Sequence, residues 1–192
     1  MREESLKTYL TKLDELNVIS LEIYYSAKTV EDAIDDIFSL LVEAYLLGND
    51  HASEMMRSMT VVDQNMMEAA IYRNIAGETF ADRVEKHVRN RDVPALQTLV
   101  ESEYHRVHEE GVADGVKQVA REKTGIKVLK TWRTVGDDRV RDTHDFLEGM
   151  TVPLGEVFTT YDGDSALMPG GFMNAENNVN CRCWIDYTRV NL

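Results

Sequence analysis

Cysteine is nearly missing from this sequence: among 192 residues there are two, Cys181 and Cys183, separated by a single residue. A disulfide framework is excluded, and a bond within a C-x-C step is disfavoured because so small a ring fits disulfide geometry poorly. Long apolar stretches are missing too. None approaches the roughly 18 residues of a membrane span, and the longest, Ile37 to Leu47, is broken by Ser39 and Glu43. The opening MREESLKTYL has no apolar signal core, so residence in the cytoplasm is expected, with thiols reduced or metal-bound. Positive charge is short as well: 21 Lys and Arg face 34 Asp and Glu, a net charge of −13. Such a field repels a phosphate backbone, so direct nucleic-acid binding is not the expected use. The bases that cluster late in the chain (Lys127, Lys130, Arg133, Arg139, Arg141, Arg182) interleave with Asp137, Asp138, Asp142 and Asp145 and are expected to pair with them.

What remains, 43% hydrophobic and 29% charged, is ordinary for a globular chain able to bury a sizeable core. The first half is patterned in steps of three and four. Leu6, Leu10, Leu13, Leu16 and Ile19 predict a helix over 2–28; Thr29 caps a second one that Gly48 should stop after Leu47. A shorter methionine-rich piece follows from Asp50. Gln64 to Ile75 is helical again, with Met66, Met67, Ala70 and Ile71 inward and Gly77 closing it, and Thr79 to Arg89 forms a short helix. The methionines read as core filler and His51, His87, His105 and His108 as surface or satisfied core residues. Asp92 caps a long helix with Pro94 in its first turn, running to about Lys123. Gly111 and Gly115 in its middle each cost about 1 kcal/mol relative to alanine unless another backbone, such as the following strand, comes close.

From Lys130 the pattern changes. Val128 to Val135 alternates as a strand, Gly136-Asp137-Asp138 is a turn, and Arg139 to Leu147 suits a helix of two turns capped by Asp137 or Asp138. Val140, His144 and Leu147 share its inward face. Thr151 to Thr160 reads as a strand, Tyr161 to Asn178 as a loop and Asn180 to Tyr187 as the closing strand, anchored by Trp184 and Ile185. Asp162 and Asp164 flank Gly163 like a fragment of a calcium loop whose other ligands are missing.

Two readings of the thiols stay open. His144, Cys181 and Cys183 supply three ligands for a zinc-type ion, with Asp142 or water as a fourth. Alternatively, two reduced cysteines sit on a buried strand beside a core histidine, the reading that residue types alone favour. Glu103 and Arg106 on the long helix are expected to join Asp137, Arg141, Asp142 and His144 in one buried polar network, a surface ion pair at i, i+3 being the alternative.

The run W-R-T-x-x-D-D-R-V-R-D-T-H-D, then Gly149, Val152-Pro153-Leu154 and Phe158, then N-x-V-N-C-R-C, resembles the phage Mu F-like, SPP-type minor head protein family. Ser102-Glu103-Tyr104-His105-Arg106 resembles that family's helix carrying a Glu and, three residues on, an Arg. The resemblance covers about residues 95 to 188. It implies an α+β fold, with a helical region over 1–91 for partners and a module over 92–192 in which a long helix packs on a small, mainly antiparallel sheet. It further implies a non-enzymatic virion protein of head assembly, working with portal and with major capsid or scaffolding proteins. Contact with packaged DNA would be indirect and membranes would play no part; the setting would be the host cytoplasm, then the capsid interior. Members are often longer, and activities residing in such extensions are not expected of these residues. The competing class is a metal-dependent hydrolase or nuclease built on His144, Cys181 and Cys183; a nucleic-acid-binding factor is a third.

Overall fold

The computed structural model describes residues 3–75 and 77–191, so the expected helix start at residue 2 lies outside the described residues. The periodic first half forms α1 (Glu3–Tyr24), α2 (Val30–Met56), α3 (Gln64–Ile71), α4 (Phe80–Arg89) and α5 (Val93–Glu122). Their starts are those the caps specify. The Thr29 hydroxyl accepts from the Asp32 amide, Thr79 and Asp82 close a reciprocal capping box, and Asp92 accepts from Ala95 ahead of α5.

Gly48 does not stop α2; the methionine-rich piece is the continuation of the same helix. The reason is a close crossing. A Cβ on Gly48 would fall on the His108 carbonyl of α5, one on Gly111 would fall on the Tyr45 carbonyl of α2, and one on Gly115 would lie 2.7 Å from the Ala52 methyl. The partner that offsets the two mid-helix glycines of α5 is therefore α2, not the strand that follows. Met66 is exposed, while Met67 packs on the core and Ala70 and Ile71 are buried. Gly77 does not cap α3, which ends at Ile71 with Tyr72 as its C-cap.

The second half is α+β, as the resemblance implied. β1 (Ile126–Arg133) is central in an antiparallel sheet of order β2-β1-β5, with β2 at Thr151–Pro153 and β5 at Trp184–Asn191. Lys130 faces Tyr187 and Trp132 faces Ile185 across the β1–β5 pair. The single strand expected over Thr151 to Thr160 is interrupted by a turn, and its end, β3 (Phe158–Thr159), instead pairs with β4 (Ser165–Ala166) in a small second ladder. The long loop also contains one helical turn, α7 (Ala175–Asn178). The closing strand starts only at Trp184, which is half-exposed, while Ile185 is buried.

Two apolar clusters result. One joins α1 to α4 with the first half of α5, around Leu16, Ile37, Tyr45 and Tyr104. The other gathers Val112, Val116, Trp132, Leu147, Phe158, Phe172, both cysteines and Ile185, with Ala52 and Met56 from the end of α2. The helix α5 runs through both. Among the described residues, no helix is long and apolar enough to cross a membrane.

Candidate metal centre

The thiol step lies directly on α5. Ser102 and His105, one turn apart on that helix, hold it from below. The Ser102 hydroxyl accepts from the Asn180 amide at 3.0 Å and His105 Nε2 meets the Cys183 carbonyl at 2.9 Å. Asn180 takes a left-handed conformation, φ 54°, which asparagine tolerates and which turns the chain into the C-x-C step. From above, Arg182 grips Asp137 through two bonds of 2.7 and 2.6 Å, Arg141 donates to the Val179 carbonyl, and Thr143 donates to Asn177 at 3.0 Å. These ties bring the segment 137–145 onto the thiol step. The helix expected over Arg139 to Leu147 shrinks to one turn, α6 (Asp142–Asp145), because Asp137 is engaged by Arg182 and the Arg139 amide and caps nothing.

That turn aims His144 inward. Its Nδ1 lies 3.6 Å from Cys181 Sγ and 3.4 Å from Cys183 Sγ. Phe172 stacks on the ring at 5.4 Å and Trp132 meets it edge-on at 5.5 Å. Exposure is 1% for His144, 5% for Cys181 and 3% for Cys183. A bond from the Cys183 thiol holds Cys181 well below the ordinary thiol range against the pull of burial, helped by His105 and His144. The same bond and burial push Cys183 up. Arg182 holds the Asp137 carboxyl down to about 2.

The donor set suits a borderline metal ion, and the three ligand atoms lie within 4.8 Å of one another. Tetrahedral zinc, with bonds of about 2.3 Å to sulfur and 2.0–2.1 Å to nitrogen, sets N···S edges of about 3.5 Å. The two edges measured here straddle that value. His144 Nε2 is buried without a hydrogen-bond partner among the described residues, so Nδ1 is the ring nitrogen that the sulfurs address. Asp142 is exposed and stands outside the group.

Two residues expected in this network lie in another. Arg106 donates to Glu103 and to the Ala70 carbonyl and pairs with Glu110 at 3.1 Å, while Arg83 and Arg73 reach Glu103 and Glu110 from outside. Glu103, Arg106 and Glu110 are each about 3% exposed, so this is neither a surface pair nor an extension of the thiol site. It bonds α5 to the α3–α4 region instead. The expected pairing of Arg182 with the carboxylates of this segment is present at Asp137, and the residues that sequence reasoning missed are Ser102 and His105. Their positions carried a signal, a polar pair one helical turn apart, but the signal has meaning only once the thiol step is known to lie on α5.

The family model described as Phage Mu protein F like protein matches residues 62–186. Minor head protein GP7 of Bacillus phage SPP1 is 26% identical over 162 residues, covering 84% of this chain and 50% of that protein. NAD(+)--arginine ADP-ribosyltransferase EFV of Enterococcus faecalis (strain ATCC 700802 / V583) is 27% identical over 150 residues, covering 77% of this chain and 30% of that protein. The chain thus spans half or less of the length of these curated relatives. No solved structure matches.

Proposed function

This chain belongs to the phage Mu protein F like family, and from that premise we propose that it acts as a minor head protein of the virion, with residues 1–91 as its partner-binding part and 92–192 as a compact assembly module. Membership supports a structural role in phage head morphogenesis, and the likeness to a minor head protein over 84% of the chain points the same way. The partners we propose are the portal and the major capsid or scaffolding proteins. The chain is made in the host cytoplasm and ends inside the capsid, where its net charge of −13 keeps any influence on packaged DNA indirect.

The observation that carries this reading is the closed thiol–imidazole group. We propose that His144, Cys181 and Cys183 hold a structural zinc ion. Hydrolytic zinc keeps a coordination position open to water, whereas these three donors are almost fully withdrawn from solvent, which favours a staple over a hydrolase or nuclease centre. When bound, the ion would fasten α6 to the start of β5. The likeness to the transferase covers 30% of that protein, and we take it as a shared part and not as transferase activity.

The partner face we propose is on α1 and the turn that follows it, where Leu10, Val18 and Tyr25 stand 51%, 54% and 74% exposed beside a separate buried stripe of Leu16, Ile19 and Ile23. The test is co-sedimentation of the full chain with phage proheads. Wild type should pellet with them, and Leu10→Glu, Val18→Glu and Tyr25→Glu together should abolish pelleting without changing the helical circular dichroism. Proheads that bind the triple variant as well as wild type would refute the assignment of the face.

A further inference from the structure

His105 stands between two parts of the molecule that the proposed function treats separately. On one side its Nε2 meets the Cys183 carbonyl at 2.9 Å; on the other its Nδ1 meets the Tyr9 hydroxyl of α1 at 3.1 Å. The chemistry of the two partners fixes the roles. A carbonyl can only accept, so Nε2 carries the hydrogen; in the neutral ring Nδ1 is then the lone pair to which the Tyr9 hydroxyl donates. Tyr9 is itself seated between Tyr104 and His108, both at 5.1 Å and edge-on. A chain of two hydrogen bonds therefore runs from α1 through α5 to the backbone of a thiol ligand.

We infer that His105 is a positioning residue of the thiol–imidazole centre and that, through Tyr9, it couples the seating of α1 to metal loading; the inference rests on the zinc reading above. By holding the Cys183 carbonyl while Ser102 holds the Asn180 amide, α5 fixes the chain on both sides of Cys181, and with it the directions of both sulfurs. Groups of this kind, which orient ligands without binding the metal, typically change metal affinity by about 10- to 100-fold when removed. Coupling between two sites is reciprocal: whatever α1 seating adds to zinc affinity, zinc adds to α1 seating. A partner that pulls on α1 would then loosen the centre.

The test uses full-length protein and zinc alone, with affinity read by competition against a chromophoric chelator and α1 read by amide hydrogen exchange. Wild type should bind one zinc per chain, and zinc should slow exchange in α1. His105→Leu should weaken zinc by about 10-fold or more. His105→Gln, whose amide nitrogen can still donate to the Cys183 carbonyl, should bind zinc more tightly than His105→Leu and fall short of wild type by the share that α1 seating adds. In both His105→Gln and Tyr9→Phe, zinc should no longer slow exchange in α1. Circular dichroism of the zinc-free variants confirms that each is folded. Zinc bound as tightly by His105→Leu as by wild type, or α1 exchange indifferent to zinc in wild type, overturns the coupling while leaving the zinc reading intact. A wild-type protein that binds no zinc overturns both.

Discussion

The two halves of this molecule are held together by different means. The helical half places side chains at regular intervals and brings backbones into contact: α2 and α5 cross with Gly48 and Gly111 against carbonyl oxygens, and the apolar residues between them are fully buried. Its buried ion-pair group Glu103–Arg106–Glu110 repeats at helical spacing along α5, with Arg73, Arg83 and the Ala70 carbonyl reaching it from the α3–α4 region. In the C-terminal half, two strands of eight residues carry the sheet and the remaining strands have two or three. Strands that short supply few ladder bonds, so the loops are fastened by side chains reaching distant backbone. Asp164 accepts from the Ser165, Met173 and Asn174 amides and from Asn177, and Lys130 donates to the Leu167 carbonyl at 2.7 Å. Regular structure stabilises itself, whereas irregular structure needs designated staples, and the thiol–imidazole centre brings together positions 37 and 39 residues apart.

The largest expected effect breaks the helical half. Arg106→Ala leaves Glu103 and Glu110 buried with only outlying arginines and should cost about 3–5 kcal/mol, read as a fall in the urea midpoint. Both tryptophans lie in the C-terminal half, so tryptophan fluorescence reports that half alone. Because α5 belongs to both cores, fluorescence and circular dichroism should lose stability together; a variant whose fluorescence transition stays put would divide the chain into two independent units.

Asp164→Ala comes next. It leaves three amides and one carboxamide without their acceptor and should cost about 2–3 kcal/mol. Proteolysis should become faster within 161–178 while the helical region keeps its protection. Equal sensitivity in both halves would contradict the picture of a stapled loop.

The smallest effect sharpens the comparison through pH. Burial pushes Lys130 down to about 8. The unfolded chain, with lysine near 10.4, then binds more protons than the folded one between those values, so stability rises with pH across that window. From about pH 7 to about pH 9.5 the gain should reach about 2 kcal/mol. Lys130→Met should remove that rise, measured as urea midpoints at the two pH values. A wild type whose stability is flat over the window would show that the buried amine is not the source.

How much of this was legible follows the same division. Helix positions and caps could be read from Thr29, Thr79, Asp92 and the three-and-four spacing, since each depends on neighbours in sequence. Gly48 misled because a helix stop and a helix crossing use the same residue, and the difference lies in α5. In the second half β1 and the inward turn of His144 were readable, but the break between β2 and β3 was not, since Val152, Leu154 and Phe158 keep an even spacing on either side of it. His105 was read as a surface or satisfied core histidine; its partners are 96 and 78 residues away. Glu103 and Arg106 were recognised as a pair and assigned to the wrong neighbours, because periodicity places residues on a helix face without naming what that face meets.

If one thiol–imidazole group fastens the irregular half, X-ray absorption at the zinc edge of the zinc-loaded chain will show it. The expected result is a four-coordinate ion with two sulfur neighbours at about 2.3 Å and nitrogen or oxygen at about 2.0–2.1 Å, the sulfur shell halved by Cys181→Ser or Cys183→Ser. A shell of nitrogen and oxygen alone, unchanged by either substitution, would contradict it.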